Sequence, residues 1–249
     1  MIALIDYHAG NLTSVKKALA TIGADVFVPE NPDDLADTSG IIVPGVGHFG
    51  ATRALDQPWI DAILARVGEG RPLFGICLGM QWLFEGSDEA PELAGLGLLS
   101  GRCYRLGSVR LTDSAKATSV KKPDTTDKSD DGSPRTDDGS GSVRLQADRD
   151  RGGARLQADP TIKIPHVGWN SMAIQREASI VDGVETGSQV YFTHSYVAPV
   201  TGDTVAVTEH GETFAAVVQR GYIGGVQFHP EKSGEVGLQI LRNFVELAG

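Results

Sequence analysis

Residues 73–81 read Leu-Phe-Gly-Ile-Cys-Leu-Gly-Met-Gln, and the fold can be predicted by working outward from this stretch. Its apolar first half is typical of a buried strand, and a helical pattern follows at once over residues 78–84. The turn between them carries Gly-x-Cys-x-Gly, with Cys77 between Gly75 and Gly79. A buried strand that leads directly into a helix is a unit of an α/β sheet, so we predict a parallel sheet at this point.

The same alternation of strand and helix extends toward the N-terminus. Strands are predicted there at residues 2–6, 25–28 and 41–43, and helices at 11–22 and 59–67. Beyond residue 188 the pattern changes to consecutive strands at 189–192, 204–208, 213–219 and 222–228, with a closing helix over 236–245. We therefore predict an α/β fold whose mainly parallel central sheet is flanked by helices and carries an antiparallel extension.

The composition limits the classes of function. The chain has 249 residues, a formal net charge of −10 and two cysteines. An acidic chain lacks the basic surface that nucleic-acid phosphates require, so we expect no nucleic-acid partner. Two cysteines do not form a disulfide framework, and no apolar run has the length of a membrane span. The first residues do not resemble a signal peptide, and we predict a cytoplasmic globular protein that does not bind membranes.

One segment, at about residues 107–160, differs in composition from the rest of the chain. It holds ten Lys or Arg residues, ten Asp or Glu residues and no aromatic residue. A polar stretch of this kind buries too little apolar surface to offset the entropy of ordering. We predict that residues 1–249 form a single domain interrupted by a disordered insertion, which is either a passive linker or a docking segment.

The pattern around Cys77 is that of a nucleophile elbow with cysteine in the place of the nucleophile. The two glycines fit a strained turn that lifts the side chain above the sheet edge. The following helix favours a thiolate at its N-terminus, and the Leu78 amide faces any oxyanion formed on the attacked carbonyl. The alternative is a buried inert thiol, which is the interpretation we prefer for Cys103.

A second pattern supplies the base that a catalytic thiol needs. An apolar strand ends in His229-Pro230-Glu231, and Pro230 bends the chain so that His229 and Glu231 point to the same side. The carboxylate then orients the imidazole, which moves the thiol proton, and the predicted catalytic residues are Cys77, His229 and Glu231. Taken alone, the pattern would better fit a strand-end histidine beside a surface glutamate, and the cysteine elbow changes that preference.

The turn Pro44-Gly45-Val46-Gly47 follows the predicted strand at 41–43. Ligands of open α/β sheets bind at the carboxyl ends of the strands, where the amides of this turn would complete an oxyanion hole. The turn is not a phosphate loop, because the Lys-Ser or Lys-Thr that should follow is absent. The six histidines lack metal-ligand spacing, so we expect no metal site.

Several motifs together resemble those of the class I (triad) glutamine amidotransferases. The two that carry the chemistry are Gly75-Ile-Cys-Leu-Gly-Met-Gln81 and Gly225-Val-Gln-Phe-His-Pro-Glu-Lys-Ser233. Segments 5–12, 44–50, 165–170 and 191–196 make the finer pattern similar to the glutaminase subunits of imidazole glycerol phosphate synthases. The resemblance covers the chain except about residues 107–160.

This resemblance implies a substrate, a partner and a set of residues. Cys77 attacks L-glutamine, and the ammonia passes to a (β/α)8-barrel cyclase subunit of a heterodimer, which forms imidazole glycerol phosphate and AICAR in histidine biosynthesis without a cofactor. The residues implied to bind glutamine or its oxyanion are Gly45, Val46, Gly47, Leu78, Gln81, His194, Ser195 and Tyr196. The residues implied to face the cyclase are Asn11, Trp169, Tyr191 and Lys232. We expect Trp169 to be exposed, because its flanking residues are not typical of a strand interior.

The chain departs from the family pattern at two points. His8 stands where the family commonly has glycine, and about fifty extra residues separate the strand near Tyr104 from a second strand predicted at 162–164. Three alternatives stay open: another triad amidotransferase, such as a glutaminase for pyridoxal phosphate synthesis; a non-catalytic interaction module of the same fold; and a cysteine hydrolase or peptidase of similar topology.

Overall fold

A computed structural model of the protein describes residues 1–10, 12–108 and 162–249. Asn11 and residues 109–161 lie outside the described residues, so the interface role of Asn11 and the disorder of the insertion stay predictions. Gly107 and Ile162, which flank the gap, pack together: a Cβ atom built on Gly107 would lie 3.5 Å from the Ile162 side chain. The residues that precede and follow the gap therefore lie close together on the domain.

The elements before the gap contain the predicted alternation of strands and helices. The strands are β1 (Ile2–Leu4), β2 (Val26–Phe27), β3 (Gly40–Gly45), β4 (Leu73–Cys77), β5 (Gly86–Ser87) and β6 (Arg102–Arg105). The α-helices are α1 (Leu12–Thr21), α2 (Gln57–Gly68) and α3 (Leu78–Trp82), and 3-10 helices lie at Pro32–Leu35 and Phe49–Ala54. Helix α3 ends two residues earlier than the sequence pattern predicted, because the chain turns at Leu83.

The elements after the gap are mostly strands. They are β7 (His166–Ser171), β8 (Ala173–Ile174), β9 (Gln189–His194), β10 (Tyr196–Val197), β11 (Thr204–Glu209), β12 (Thr213–Arg220) and β13 (Ile223–Val226). Helix α4 (Gly234–Leu247) closes the chain, and 3-10 helices lie at Ser179–Val181 and Pro230–Lys232. The strand predicted at 162–164 was wrong: β7 begins only at His166, after Pro165, which has no N–H group to donate.

Eight of the described strands form the central sheet, in the order β2-β1-β3-β4-β13-β12-β11-β8. The strands from β2 to β13 are parallel, and β12, β11 and β8 extend the sheet with antiparallel pairing. This arrangement confirms the predicted fold class. No helix among the described residues is long and apolar enough to cross a membrane.

Two apolar layers cover the central sheet because its strands alternate their side chains between the faces. Ile42 and Phe74 pack with α1 and α4 on one face, and Phe74 stacks on Phe244 with 5.1 Å between the ring centroids. Ile41 and Leu73 pack with α2 and α3 on the other face. Burial on both faces explains why β3 and β4 are continuous apolar runs in the sequence.

The register of three neighbouring parallel strands brings their carboxyl ends to one edge of the sheet. Gly45 at the end of β3 pairs with Cys77 at the end of β4, and Ile76 pairs with Val226 at the end of β13. The residues that follow Gly45 and Val226 therefore surround Cys77. This edge is where open α/β sheets bind their ligands.

Candidate active site

Cys77 lies at the junction of β4 and α3 in a conformation that few side chains adopt. Its φ angle is +53°, in the left-handed region, and its side chain is buried with only 4% exposure. Gly75 leaves no room for a side chain, since a Cβ atom there would lie 2.5 Å from the Met80 nitrogen, and one on Gly79 would overlap the Val43 carbonyl. The glycines are thus required by close backbone approach, and the strained elbow predicted from the sequence is present.

His229 and Glu231 form a buried pair beyond the end of β13. The Nδ1 atom of His229 lies 2.9 Å from Oε1 of Glu231, and both side chains are 2% exposed. The backbone is fixed on both sides, because the His229 amide donates to the Tyr191 carbonyl and Ser233 Oγ donates to the His229 carbonyl. The carboxylate therefore holds the imidazole with Nδ1 as the donor and leaves Nε2 for chemistry.

The second ring nitrogen of His229 faces the sulfur side of the site. Nε2 is buried and makes no close hydrogen bond within the described residues, but the imidazole interacts with Cys77 through charge and a longer side-chain hydrogen bond. Burial lowers the pKa of the imidazole, but charge and hydrogen bonding from Cys77 and then from Glu231 outweigh burial and raise the pKa of His229 to about 10. A buried imidazole that stays protonated between a sulfur and a carboxylate has the electrostatics of a cysteine nucleophile with its acid and base.

The glycine-rich turn after β3 closes another side of the site. Val46 and Gly47 are exposed, and Gly47 has a φ of +117°. The Val46 amide donates to the Ala9 carbonyl at 3.3 Å, so in this structure it does not face Cys77 as a free donor. Below the turn, burial and then the charge of Cys77 raise the pKa of Tyr7, whose hydroxyl is buried without a hydrogen-bond partner among the described residues.

A cavity of about 290 Å³ opens above Cys77. Its lining residues are Val46, Gly47, Cys77, Leu78, Gln81, Glu89, Pro165, Thr193, His194, Ser195 and Tyr196. The structure thus brings together every residue predicted to bind glutamine or its oxyanion except Gly45, which lies beneath the cavity against Tyr7. The size suits an amino-acid side chain and its α-carbon groups.

The sequence analysis missed Glu89, the cavity residue with a carboxylate. One of its oxygens accepts a hydrogen bond from the Phe49 amide at 2.6 Å, which fixes the side chain at the rim. Its charge also acts within the cavity, because after burial it is the next cause that raises the pKa of Tyr196. Glu89 stands in no recognisable motif, so no signal in the sequence marks it.

His194 of the cavity lining belongs to a group of three histidines, together with His166 and His210. His166 Nδ1 is 3.2 Å from His194 Nε2, and the rings of His166 and His210 stack with 4.1 Å between their centroids. Burial and neighbouring histidines lower the pKa of His194 to about 3 and that of His166 to about 4. The predicted glutamine-site residue His194 is therefore neutral, and its ring contacts His166 edge-on.

Three of the four predicted interface residues are grouped on the surface beside the site. Trp169 is 57% exposed, and its ring lies edge-on to Tyr191 with 6.0 Å between centroids. Lys232 Nζ lies 5.7 Å from the centre of the Tyr191 ring. The expectation that Trp169 avoids a strand was wrong, since it is in β7, but the strand leaves this face uncovered and the ring is exposed as predicted.

Comparison with known proteins agrees with this fold. The family described as glutamine amidotransferase class-I matches residues 3–247, and the chain therefore belongs to that family. A crystal structure of a glutamine amidotransferase aligns with a TM-score of 0.63 over the full length of both chains, at 18% identity, and so shares the fold.

The relatives with higher sequence identity carry a more specific name. Subunit HisH of imidazole glycerol phosphate synthase from Halobacterium salinarum is 39% identical over 98% of this chain and 92% of its own length. The HisH subunit from Natronomonas pharaonis is 37% identical over 98% of this chain and 94% of its own length. The resemblance found in the sequence motifs is thereby confirmed.

Proposed function

We propose that the chain is the glutaminase subunit of an imidazole glycerol phosphate synthase. It hydrolyses L-glutamine to glutamate and ammonia, and a cyclase subunit uses the ammonia to form imidazole glycerol phosphate and AICAR in histidine biosynthesis. The observation that carries the proposal is the edge where Cys77, on its strained elbow, interacts with His229 of the His229–Glu231 pair, in a chain similar to HisH subunits over nearly its whole length. Cleavage of an amide through a covalent intermediate needs a nucleophile, an acid and base, and a group that orients the base, and this set supplies all three.

In the proposed first half-reaction, the Cys77 sulfur attacks the side-chain amide carbon of glutamine. The carbon–nitrogen bond then breaks, and His229 gives its Nε2 proton to the departing nitrogen, which leaves as ammonia. A γ-glutamyl thioester remains on Cys77. A water molecule next gives a proton to His229 and attacks the thioester, the carbon–sulfur bond breaks, and glutamate leaves. Glu231 keeps His229 oriented through both steps.

The oxyanion of each tetrahedral intermediate needs amide donors, for which we propose Leu78 and the turn at Gly45, Val46 and Gly47. The Val46 amide is bonded to Ala9 in this structure, so the donor set is incomplete. We propose that the turn has a second state in which this amide faces the oxyanion, and that the partner favours this state. Glutamine would then be hydrolysed only when the cyclase holds the acceptor of the ammonia.

Two side chains are placed to recognise glutamine rather than another amide. Gln81 Nε2 donates to the Tyr196 carbonyl at 2.9 Å and to Gln227 Oε1 at 3.2 Å, so both of its protons are used within the protein. Gln81 therefore acts toward the substrate as an acceptor. Glu89 supplies a negative charge at the rim, and we propose that it binds the α-ammonium group of glutamine.

For the partner, we propose a (β/α)8-barrel cyclase that docks on the surface formed by Trp169, Tyr191 and Lys232. An exposed aromatic pair with a cation beside it is the composition expected of an interface anchor. Trp169→Ala should weaken the affinity of the pair by about 2 kcal/mol or more, as measured by titration calorimetry. Gln57→Ala, on the exposed part of α2, is the control and should leave the affinity unchanged.

The function is tested in the pair reconstituted with a cyclase subunit. Cys77→Ala should abolish synthase activity with glutamine and keep the activity with added ammonia, whereas the control Cys103→Ala should keep both. Loss of both activities in Cys77→Ala, with the pair still assembled, would contradict the proposal. The isolated chain should have little glutaminase activity, and full activity without the cyclase would overturn the proposed control by the partner.

The same experiments separate the alternatives. A glutaminase for pyridoxal phosphate synthesis would supply a different synthase and leave the cyclase inactive. A cysteine peptidase would cleave peptides rather than free glutamine. Because the chain is a glutamine amidotransferase by family, a purely structural role is disfavoured. We further propose that residues 1–249 form one domain with an insertion, and that the enzyme works in the cytoplasm, where Cys77 stays reduced.

A further inference from the structure

Gln227 is a fully buried polar residue that the mechanism above does not use. It directly follows β13, and its side chain is 0% exposed. Its Nε2 atom lies 3.6 Å from the Cys77 sulfur, within the range of an N–H···S hydrogen bond, and its Oε1 atom accepts from Gln81. The residue therefore connects the nucleophile to the wall of the glutamine cavity.

The orientation of the Gln227 side-chain amide is set, through Gln81, by a backbone carbonyl. The Tyr196 carbonyl can only accept, so the Gln81 atom that faces it at 2.9 Å must be the amide nitrogen. The second proton of that nitrogen then points at Gln227, whose nearer atom must be its oxygen. It follows that the nitrogen of Gln227, and not its oxygen, faces the Cys77 sulfur.

We propose that Gln227 is a further catalytic residue, which donates a hydrogen bond to the Cys77 sulfur and stabilises its anionic form. Gln81 is the positioning residue that keeps the Gln227 amide from turning its oxygen to the sulfur. The proposal deepens the function proposed above and rests on it for the reaction, although the contact with sulfur is testable without glutamine. A hydrogen bond to a charged group stabilises it more than one between neutral groups.

The hydrogen bonds from Gln81 to Gln227 and from Gln227 to Cys77 also link the nucleophile to the wall of the cavity. Tyr196 and Gln81 line the cavity, and Gln227 is the next residue inward. A bound molecule that displaces Gln81 would break its hydrogen bond to Gln227 Oε1, and the Gln227 amide would then be free to turn. A substrate that leaves Gln81 in place preserves the hydrogen bond from Gln227 Nε2 to the Cys77 sulfur. The reactivity of Cys77 is thereby linked to correct occupancy of the glutamine site.

The test is the rate at which iodoacetamide labels Cys77 in the full-length chain, measured from pH 5 to pH 10 by mass spectrometry of the peptide. Gln227→Met removes the donor at similar volume and should slow labelling at pH 7 by about ten- to a hundredfold. The pH of half-maximal rate should rise by about one unit or more. Gln227→Glu, of the same shape, places a carboxylate on the sulfur and should slow labelling more.

A matched control comes from another buried glutamine. Gln219 on β12 bonds to Ser179, Ile180 and Gly221, away from the cavity, so Gln219→Met should lower the melting temperature and leave the labelling profile unchanged. A wild-type profile in both Gln227 variants would overturn the proposal. If one of them does not fold, as judged by circular dichroism, the profile of the other decides.

The glutaminase assay of the reconstituted pair then separates this inference from the function. Gln227→Met should lower glutamine-dependent activity by a similar factor and keep the ammonia-dependent activity. A wild-type chain that labels normally but hydrolyses no glutamine would refute the proposed function and leave the role of Gln227 at the sulfur standing. A changed glutaminase rate with an unchanged labelling profile would refute the role of Gln227.

Discussion

His229 and the pair His166–His194 differ in charge although all three are buried. His229 is 1% exposed and has a pKa raised to about 10. His194 and His166 are 7% and 4% exposed, and burial lowers their pKa values to about 3 and about 4. Burial favours the neutral imidazole in both groups, so the difference comes from the neighbours.

The neighbours of His229, Cys77 and Glu231, raise its pKa, whereas the neighbours of His166 and His194 require neutral rings. Asn170 donates to the Glu209 carbonyl at 2.9 Å and to His166 Nε2 at 3.3 Å, which leaves the proton of His166 on Nδ1. That proton is given to His194 Nε2. A second proton on either ring would break this chain, and the nearby charge of His229 further lowers the pKa of His194. The His229 side of the cavity thus carries a protonated imidazole, and the His194 side keeps its imidazoles neutral.

The largest expected effect comes from making the surroundings of His229 resemble those of His194. Glu231→Gln removes the carboxylate, so the pKa of His229 should fall and the ring should lose its fixed orientation. We expect kcat of the glutaminase in the reconstituted pair to fall by about 10²–10⁴-fold. An ammonia-dependent activity that stays unchanged is the control, because it does not use the triad. Wild-type kcat in Glu231→Gln would show that the carboxylate is not what distinguishes the two groups.

An intermediate effect is expected for stability in acid, which depends on the titration of His166 and His194. The folded pKa values of His166 and His194 lie below the value near 6.5 of an unfolded chain. The unfolded state therefore binds more protons below pH 6.5, and the free energy of unfolding should fall as the pH is lowered from 6.5 toward 4. Each histidine contributes up to about 1.4 kcal/mol per pH unit.

This loss is measured by urea unfolding at several pH values. His194→Gln removes one titrating ring, so the slope of unfolding free energy against pH should become shallower by up to about 1.4 kcal/mol per unit. His8→Gln is the control, because the His8 side chain is 93% exposed and meets solvent in both states. An unchanged slope in His194→Gln would contradict the view that the buried histidines are held neutral.

Much of the site was predictable because its chemistry is carried by local sequence. The elbow at Cys77 and the His229-Pro-Glu231 segment each lie within a few residues, and the parallel strands that join them are apolar runs. The glycines that permit the turn are also local, so the backbone conformation could be read from the sequence. The order of the sheet then brings the two segments together.

The features that were missed depend on contacts between distant segments. Gln227 meets Gln81 across 146 positions and Cys77 across 150, and its orientation is decided by a backbone carbonyl at Tyr196. A single polar residue in an apolar strand does not reveal such a partner. The placement of Trp169 in β7 was missed for a related reason, because β9 is the single pairing partner of this strand within the described ranges and one face remains uncovered.

The smallest effect is expected at His210, which stacks on His166 from the outer side of the group. His210→Phe keeps a flat ring on His166 and removes a neighbour that lowers its pKa, although the hydrogen bond to the Lys163 carbonyl is also lost. The pKa of His166 should rise slightly. The slope of unfolding free energy between pH 6.5 and pH 4.5 should therefore become shallower by less than about 0.5 kcal/mol per unit. If His210→Phe flattens the slope as much as His194→Gln, charge repulsion among the histidines, and not burial, holds this group neutral.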